Sequence, residues 1–191
     1  MYDPLKMEAS VRLFLEAIGE DPTREGLLET PNRVSRMYAQ LLGGYDEEPL
    51  NELKTFKVDE TEGSSGSSIV FVGDIPFFSF CEHHMVMFIG RAHIAYVPNG
   101  TVLGLSKLVR MMRTYCKRLQ IQERLTEQIA NAIYLTPSAK GSMVLLEAEH
   151  YCMTLRGVRT PGTITRTTAV RGCFQDLQMQ QEFHTLTRGG K

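Results

Sequence analysis

The sequence predicts an α+β fold in which helices pack against an antiparallel sheet. Three observations indicate this class: apolar residues at helical spacing open the chain, further helical segments lie in its centre, and alternating segments stand between and after them. The 191 residues, 42% of them hydrophobic, are enough for one core. Because no repeat or linker interrupts the chain, we expect a single functional domain, with an N-terminal helical region over residues 1–50 and the sheet region over residues 51–191.

Two N-terminal helices are predicted from the spacing of their apolar residues. The first covers residues 4–18. The second begins with Thr30 as its N-cap and Pro31 in its first turn, and it ends at about Leu42 because a pair of glycines follows.

Alternation of apolar and polar residues predicts the strands. Residues 55–58 and 69–72 alternate, and the stretch 59–68 between them, rich in Glu, Gly and Ser, predicts a mobile loop that joins them as a hairpin. The remaining predicted elements are, in chain order, a strand over 85–97 that ends at a turn, helices around 105–112 and 125–133, and strands over 143–156 and 163–168.

Charge and composition exclude several classes of partner. The formal net charge is -1 and the pI is about 6.5, so we expect no general affinity for nucleic acid or for an anionic membrane. No apolar run approaches the roughly 20 residues of a membrane helix, and no basic leader precedes one, so we expect a cytoplasmic protein. The four cysteines are too few for a disulfide framework and are expected to be thiols.

A thiol and an imidazole stand three residues apart at Cys81 and His84, and a second thiol follows His150 at Cys152. Thiolate and imidazole ligands together suit Zn²⁺, and three protein ligands would leave a fourth position for water, as in catalytic zinc sites. Spacing favours His84 over His83 as the ligand. The alternative is a pair of buried cysteines beside surface histidines.

His83 and His150 lie close to the expected ligands without belonging to the set. Imidazole titrates near neutral pH, so both histidines suit proton exchange with a metal-bound water and with a ligand nitrogen. The alternative is that each only supports the metal ligands through a hydrogen bond.

The other cysteines and histidines have no such setting. Cys116 and Cys173 lack a neighbouring histidine and are expected to be small core residues. His93 and His184 are expected to have no special role.

A cationic cluster is predicted at the start of the first central helix. Ser106 is a good N-cap, which places Lys107 and Arg110 in the first turn, where the helix dipole disfavours positive charge. Free helix amides together with these cations favour a bound phosphate. The alternative is a pair of solvated surface cations.

The predicted strand over 143–156 adds a further cation to this set. Residues two apart on a strand point to one face at a spacing of about 6.6 Å, so His150, Cys152 and Arg156 are expected to share a face. Arg156 would then lie about 13 Å from Cys152 along the strand, within reach of a phosphate tail.

Gln122 and Glu123 stand at the junction between the two central helices. A carboxylate in a first helical turn is favourable in itself, so capping is one interpretation. A carboxylate can also accept from two neighbouring N–H donors on the edge of a planar base.

Four separated groups of residues occur in the order found in one known family: Phe80-Cys81-Glu82-His83-His84; Leu103-Gly104-Leu105-Ser106-Lys107-Leu108; Gln122-Glu123-Arg124-Leu125-Thr126; and His150-Tyr151-Cys152-Met153 with Arg156-Gly157-Val158. On these residues the chain resembles GTP cyclohydrolase I from about residue 19 to residue 186. The resemblance implies the tunnelling fold (T-fold), a four-stranded antiparallel sheet with helices on one face that joins neighbouring subunits into a barrel. It also implies a homodecamer of two pentamers, with active sites at subunit junctions.

The resemblance further implies a reaction. Water held by Zn²⁺ would add to C8 of GTP, His83 and His150 would assist protonation and ring opening, and formate would leave. The product would be 7,8-dihydroneopterin triphosphate, the first pterin of folate or tetrahydrobiopterin synthesis. By the same resemblance Cys81, His84 and Cys152 bind the metal.

The resemblance also assigns the substrate contacts. Glu123, with Gln122 nearby, would hold the guanine. The ribose and triphosphate would be held by Ser106, Lys107, Arg110, Arg156 and Arg33. The chain departs from the family at Met87, Ile164 and Arg166, none of which is a motif position.

Two other functions compete with this interpretation. A non-catalytic zinc module that mediates assembly would have a closed fourth coordination position and no use for a cationic helix start. A related T-fold enzyme of purine or deazapurine metabolism, such as a nitrile reductase, would need a nucleophilic cysteine and a nicotinamide cofactor. The open Cys-His-Cys set and the lack of a third cysteine in a reactive setting argue against both.

Overall fold

The computed structural model describes residues 2–57 and 69–189, so the loop predicted over residues 59–68 lies outside the described residues. Short 3₁₀ turns occur at Gly43–Tyr45, Pro49–Glu52 and Cys173–Gln175. The helices and strands of the described part are, in chain order, α1 (Pro4–Ala17), α2 (Thr30–Leu41), β1 (Thr55–Lys57), β2 (Val70–Cys81), β3 (Met87–Pro98), β4 (Thr101–Leu103), α3 (Leu105–Cys116), β5 (Leu119–Gln120), α4 (Gln122–Tyr134), β6 (Ala139–His150), α5 (Tyr151–Thr154), β7 (Ile164–Gly172) and α6 (Leu177–Arg188).

The two N-terminal helices form an antiparallel pair ahead of the sheet. Helix α1 begins where the Asp3 side chain accepts a hydrogen bond from the amide of Lys6. The Tyr2 hydroxyl donates to the carbonyl oxygen of Ser35 in α2 at 2.7 Å. The prediction that Thr30 caps α2 is wrong by one residue, because Glu29 is the N-cap and Thr30 is the first helical residue.

The main sheet has the strand order β5-β2-β3-β6-β7. Strands β2, β3, β6 and β7 pair antiparallel, and they form the predicted four-stranded sheet. Strand β5 adds only a two-residue parallel pairing at the end of β2. The α+β class predicted from the sequence is confirmed.

The predicted hairpin between residues 55–58 and 69–72 is wrong. Strand β1 pairs instead with β4, with Thr55 opposite Leu103, and so forms a separate two-stranded sheet. Residues 69–72 belong to the start of β2, which continues to Cys81 and pairs with β3. Alternation in short segments indicates strands without indicating their partners.

Helices α3 and α4 cover one face of the main sheet and enclose the larger core. Alternate residues of β3 and β6 point into this core, among them Ile94 and Leu146, which are fully buried. The intervening residues point to the other face, where Phe183 of α6 closes a smaller cluster. Among the described residues, no helix has the length and apolar character needed to cross a membrane.

The two cysteines outside the motifs pack in or against the cores, as the sequence predicts. Cys116 is part of the larger core, and burial raises the pKa of its thiol to about 12. Cys173 packs against the smaller cluster. His93 is buried within the sheet, and His184 is exposed on α6.

Candidate active site

Two thiols and one imidazole converge at the end of β2. Cys81 is the last residue of β2, His84 lies in the loop that follows, and Cys152 lies in the short helix α5. The ligand atoms of these three residues all lie within 4.8 Å of one another. They are the one group of this kind among residues 2–57 and 69–189. The group can therefore hold a metal ion.

The loop between β2 and β3 brings His84 back towards Cys81. The amide of Met85 donates to the carbonyl oxygen of Cys81 at 2.8 Å, and the amide of Cys81 donates to that of Val86 at 2.9 Å. Met85 adopts a φ of 53°, in the left-handed region that closes such tight turns. As a result, Nδ1 of His84 lies 3.8 Å from Sγ of Cys81.

Residues at the start of α4 and just before it contact the loop between β2 and β3. The amide of Glu82 donates to the carbonyl oxygen of Gln120 at 3.0 Å. The guanidinium of Arg124 pairs with the Glu82 carboxylate and also donates to Oε1 of Gln120 at 3.1 Å. The hydrogen bond from Arg124 lowers the pKa of Glu82. The carboxylate of Glu82 is thus directed away from the metal group.

The chemistry of the donor set fits zinc. Two sulfurs and one imidazole nitrogen form a soft to borderline set, and a fourth position stays free for a ligand. Burial raises the pKa of the Cys152 thiol, and the neighbouring Cys81 raises it further. Two thiolates this close are unfavourable without a cation, so a divalent ion would stabilise both.

Two further imidazoles adjoin the metal group. Nδ1 of His83 lies 3.8 Å from Sγ of Cys81, and the ring is exposed. His150 is half-buried, and its ring stacks on that of Phe88 with centroids 4.7 Å apart. Burial lowers the pKa of His150, while the charge of Glu123 opposes this shift.

A cavity of about 240 Å³ connects these groups. The Glu123 side chain is exposed at its rim, whereas Gln122 is buried beneath it. The residues that line the cavity are Cys81, His83, His84, Gln120, Ile121, Gln122, Glu123, His150, Cys152, Met153 and Thr165.

Arg156 reaches the metal group by a route that differs from the predicted one. The predicted strand over 143–156 ends at His150, and the chain turns there into α5. The expectation that His150, Cys152 and Arg156 share a strand face, with Arg156 about 13 Å away, is therefore wrong. After the turn, Nη1 of Arg156 lies 3.3 Å from Nε2 of His84.

The cations of α3 do not line this cavity. Ser106 was expected as the N-cap, but the N-cap is Gly104 and no side chain caps the helix. Nζ of Lys107 lies 3.8 Å from Oε2 of Glu52, and Arg110 is exposed one turn further along.

Helix α3 separates these cations from the metal group. Its far end is tied to β2, because Ser79 Oγ donates to the carbonyl oxygen of Cys116 at 2.8 Å. The start of α3 lies about 17 Å from that end. Arg33 does not line the cavity either, and it pairs with Glu29 at 2.6 Å on α2.

Phe88, Thr165 and Arg124 contact the site without having been singled out from the sequence. Phe88 lies opposite His150 in the β3–β6 pairing, and Thr165 lies opposite Ala148 in the β6–β7 pairing. A strand register of this kind is not visible in single segments. Arg124, in contrast, stands within the Gln122-Glu123-Arg124 motif, and that position is a usable signal.

An α+β fold with a Cys-His-Cys group that could hold a metal ion, beside two further imidazoles in one cavity, is typical of a hydrolytic enzyme. Comparison with known sequences gives the family. A model of the family "GTP cyclohydrolase I" matches residues 7–188. The chain belongs to the GTP cyclohydrolase I family, hydrolases that convert GTP to dihydroneopterin triphosphate, and this membership confirms the predicted tunnelling fold.

Relatives named GTP cyclohydrolase 1 share about half of their residues with this chain. The protein of Clostridioides difficile is 53% identical over 186 residues, covering 96% of each chain. That of Desulforamulus reducens is 52% identical over 177 residues, covering 92% of this chain and 91% of the relative. A crystal structure of the archaeosine synthase QueF-Like in the apo form aligns with a TM-score of 0.45 and 16% identity, covering 57% of this chain and 97% of that one.

Proposed function

We propose that this chain opens the guanine ring of GTP in the cavity beside Cys81, His84 and Cys152. The observation that carries the proposal is the convergence of an open metal group, two imidazoles and an exposed carboxylate on one cavity. A non-catalytic zinc module would have no use for this convergence, and the relatives supply no support for a deazapurine enzyme.

The resident metal is proposed to be Zn²⁺. Cys81, His84 and Cys152 would hold it, since thiolate and imidazole ligands favour zinc over the harder divalent ions. When bound, the ion would lower the pKa of a coordinated water to about 7 and so supply a nucleophile at neutral pH.

His150 and His83 are proposed to move protons during ring opening. Burial holds down the pKa of His150, which keeps its imidazole neutral and able to accept a proton near pH 7. His83 is exposed at the cavity mouth, where it can exchange protons with solvent. The two histidines would therefore act at different positions along one proton path.

Glu123 is proposed to select guanine. Its carboxylate lies at the cavity rim and makes no ion pair among the described residues. Guanine presents two neighbouring N–H donors at N1 and the 2-amino group, which one carboxylate can accept together. Adenine lacks both and presents a lone pair at N1, so ATP is expected to be rejected.

The triphosphate is proposed to contact Arg156 from the same chain and cations from a second chain. Arg156 is exposed beside His84. Ser106, Lys107 and Arg110 lie at the other end of α3, and Arg33 lies on α2. A neighbouring subunit that places its α3 against this cavity would complete the anion site.

The assembly is proposed to be a homodecamer of two pentamers. Both edges of the main sheet are open in the described residues, because β7 pairs only with β6, and β2 pairs beyond β3 only with the two residues of β5. Open edges favour strand addition between copies, and this would close a barrel. The N-terminal helical region (residues 1–50) exposes Leu13, Phe14 and Ile18, an apolar surface that suits contact between the two rings.

The direct experiment is to incubate purified protein with GTP and to measure formate and the fluorescence of the pterin product. His83→Ala and His150→Ala are each expected to keep the metal and to lose turnover by about 100-fold to 10,000-fold. His184→Ala is the matched control, because His184 is exposed on α6 away from the cavity. Normal turnover in a metal-loaded His150→Ala variant would remove His150 from the proposed proton path.

A further inference from the structure

The side chain of Gln122 lies between β6, β7 and His150, and both the nitrogen and the oxygen of its amide make hydrogen bonds. Gln122 is 1% exposed at the start of α4. Its Nε2 lies 3.1 Å from the carbonyl oxygens of Leu146 and Thr165 and 3.1 Å from Oγ1 of Thr167. Its Oε1 lies 2.8 Å from Nε2 of His150.

These partners fix the orientation of the amide. Carbonyl oxygens only accept hydrogen bonds, so the NH₂ group of Gln122 must face Leu146 and Thr165. A flipped amide would place its oxygen against both carbonyl oxygens. The oxygen of Gln122 therefore faces His150, and Nε2 of His150 must carry a hydrogen to donate.

Two buried hydroxyl groups close the network around this amide. Thr126 Oγ1 donates to the carbonyl oxygen of Gln122 at 2.7 Å, and it lies 2.6 Å from Oγ1 of Thr167. Because the Thr126 hydrogen is committed, Thr167 donates to Thr126 and can accept from the Gln122 amide. The two hydrogens of the Gln122 amide are shared among three acceptors, and a flip of the amide would break these contacts and the one with His150 at once.

We infer that Gln122 is a positioning residue that holds the His150 ring in one orientation and in the tautomer with its hydrogen on Nε2, which leaves the lone pair on Nδ1. The inference rests on the proposed proton transfer by His150. Stacking on Phe88 restrains the plane of the His150 ring. The hydrogen bond to Gln122 then selects the orientation of the ring in that plane that directs Nε2 towards Gln122.

This role differs from the contact with guanine that the resemblance implies for Gln122. Both amide hydrogens are committed to acceptors within the protein, and the oxygen accepts from His150. A side chain that is 1% exposed would have to break these bonds to reach a base in the cavity. Glu123, which is exposed at the cavity, is therefore the side chain that is proposed to recognise guanine.

A double-mutant cycle on metal-loaded enzyme tests the inference. Gln122→Met keeps the size of the side chain and removes the acceptor, and we expect kcat to fall by about 10-fold to 100-fold with KM nearly unchanged, as when an outer partner of a site histidine is lost. In a His150→Ala background, the same substitution should cost no further turnover, because its effect passes through His150. The inference would be overturned if the losses of kcat from the two substitutions multiply in the double variant. It would also be overturned if Gln122→Met raises KM both in the parent protein and in the His150→Ala background.

Further variants separate this outcome from misfolding and from failure of the proposed function. Gln180→Met is the matched control, since Gln180 also donates to a backbone carbonyl, that of Phe174 at 2.9 Å, but lies on α6. It should leave kcat and KM unchanged. Thr167→Val keeps Gln122 and removes one of its acceptors, and it should lower kcat less and in the same direction. If His150→Ala alone kept full turnover, the proposed role of His150 would fail, which is a different result from multiplying losses.

A spectroscopic measurement needs no turnover. Solid-state NMR of protein with ¹⁵N-labelled histidine, without substrate, reports which ring nitrogen carries hydrogen. The signal that His150→Ala removes should be that of an Nε2–H tautomer in the parent protein, and it should become a mixture of tautomers in Gln122→Met. An Nδ1–H tautomer in the parent protein would contradict the assignment.

Discussion

At the scale of single residues, Cys81, His84 and Cys152 depend on one another. Burial and the neighbouring Cys81 raise the pKa of the Cys152 thiol, so the two thiols resist joint ionisation without a cation. A divalent ion removes this penalty and binds most tightly when all three ligands are present. Loss of one sulfur leaves two protein ligands, which is too few for a stable zinc site.

We therefore predict one zinc ion per chain and its loss in Cys152→Ala. Metal analysis after dialysis should show far less than one equivalent in this variant. Cys173→Ala is the matched control, because Cys173 packs in the smaller cluster remote from the metal group, and it should keep its full equivalent. A Cys152→Ala variant that retains both stoichiometric metal and activity would rule out this ligand set.

The grouping of Cys81, His84 and Cys152 could be predicted from the sequence, because thiols and imidazoles at short spacings are themselves typical of metal sites. The bond between Gln122 and His150 could not, since it links positions 28 residues apart whose proximity depends on the strand register. Ser106 shows a different limit. Its type suits an N-cap, yet the helix begins at Leu105, and its N-cap is Gly104, two residues before Ser106.

At the scale of elements, the start of α4 supports the loop that carries His84, one of the ligand candidates. Arg124 pairs with Glu82 in that loop and with the side chain of Gln120 ahead of the helix. The pair is partly exposed, so its direct contribution to stability is modest. The Arg124–Glu82 pair should instead help to hold His84, two residues beyond Glu82, in its position.

We predict that Arg124→Ala releases metal to a chelator faster, by about 10-fold, because outer contacts orient metal ligands. Arg171→Ala is the matched control. Its guanidinium also pairs with a carboxylate, that of Glu127, and donates to an amide oxygen, that of Asn131 at 2.6 Å, but away from the loop. Equal release rates in the two variants would show that the Arg124 contact does not support the site.

Strands β3 and β6 approach closely beside His150, and a glycine permits this approach. A Cβ at Gly90 would lie 1.8 Å from the carbonyl oxygen of Glu147. Gly90→Ala should therefore force the strands apart and lower the free energy of unfolding by about 1–3 kcal/mol or more. Gly43→Ala is the control, since nothing lies within 4 Å of its Cβ position, and denaturation curves should leave it near the parent. Equal stability of the two variants would contradict this account.

Element type was easier to predict than element ends and partners. The alternation over residues 143–156 continues past His150, but the backbone turns there into α5, and this turn brings Arg156 to His84. Residues 55–58 alternate as a strand should, yet β1 (Thr55–Lys57) pairs with β4, across a stretch of sequence that contains all of β2 and β3. The first error concerns the end of a strand and the second its pairing partner, and local periodicity encodes neither.

At the scale of the whole molecule, the cations proposed to contact the triphosphate and the metal group lie at opposite ends of α3. Cys116 at one end contacts Ser79 next to the metal group, and Lys107 lies near the other end. The two sheet edges, β2 and β7, run in opposite directions, so β7 of one copy can pair antiparallel with β2 of the next. In the proposed assembly, the start of one α3 would lie close to the metal group of a neighbouring chain.

This arrangement predicts complementation between two inactive variants. Cys152→Ala lacks the metal, and a Lys107→Ala/Arg110→Ala double variant lacks the anion contacts. In an assembly of equal parts, about one quarter of the sites should combine an intact metal group from one chain with intact cations from another, restoring about that share of parent activity. Cys152→Ala assembled with His150→Ala is the control: both residues line the same cavity in one chain, so no site regains both. Light scattering confirms that the mixtures assemble, and a first mixture no more active than its parts would place the whole site within one chain.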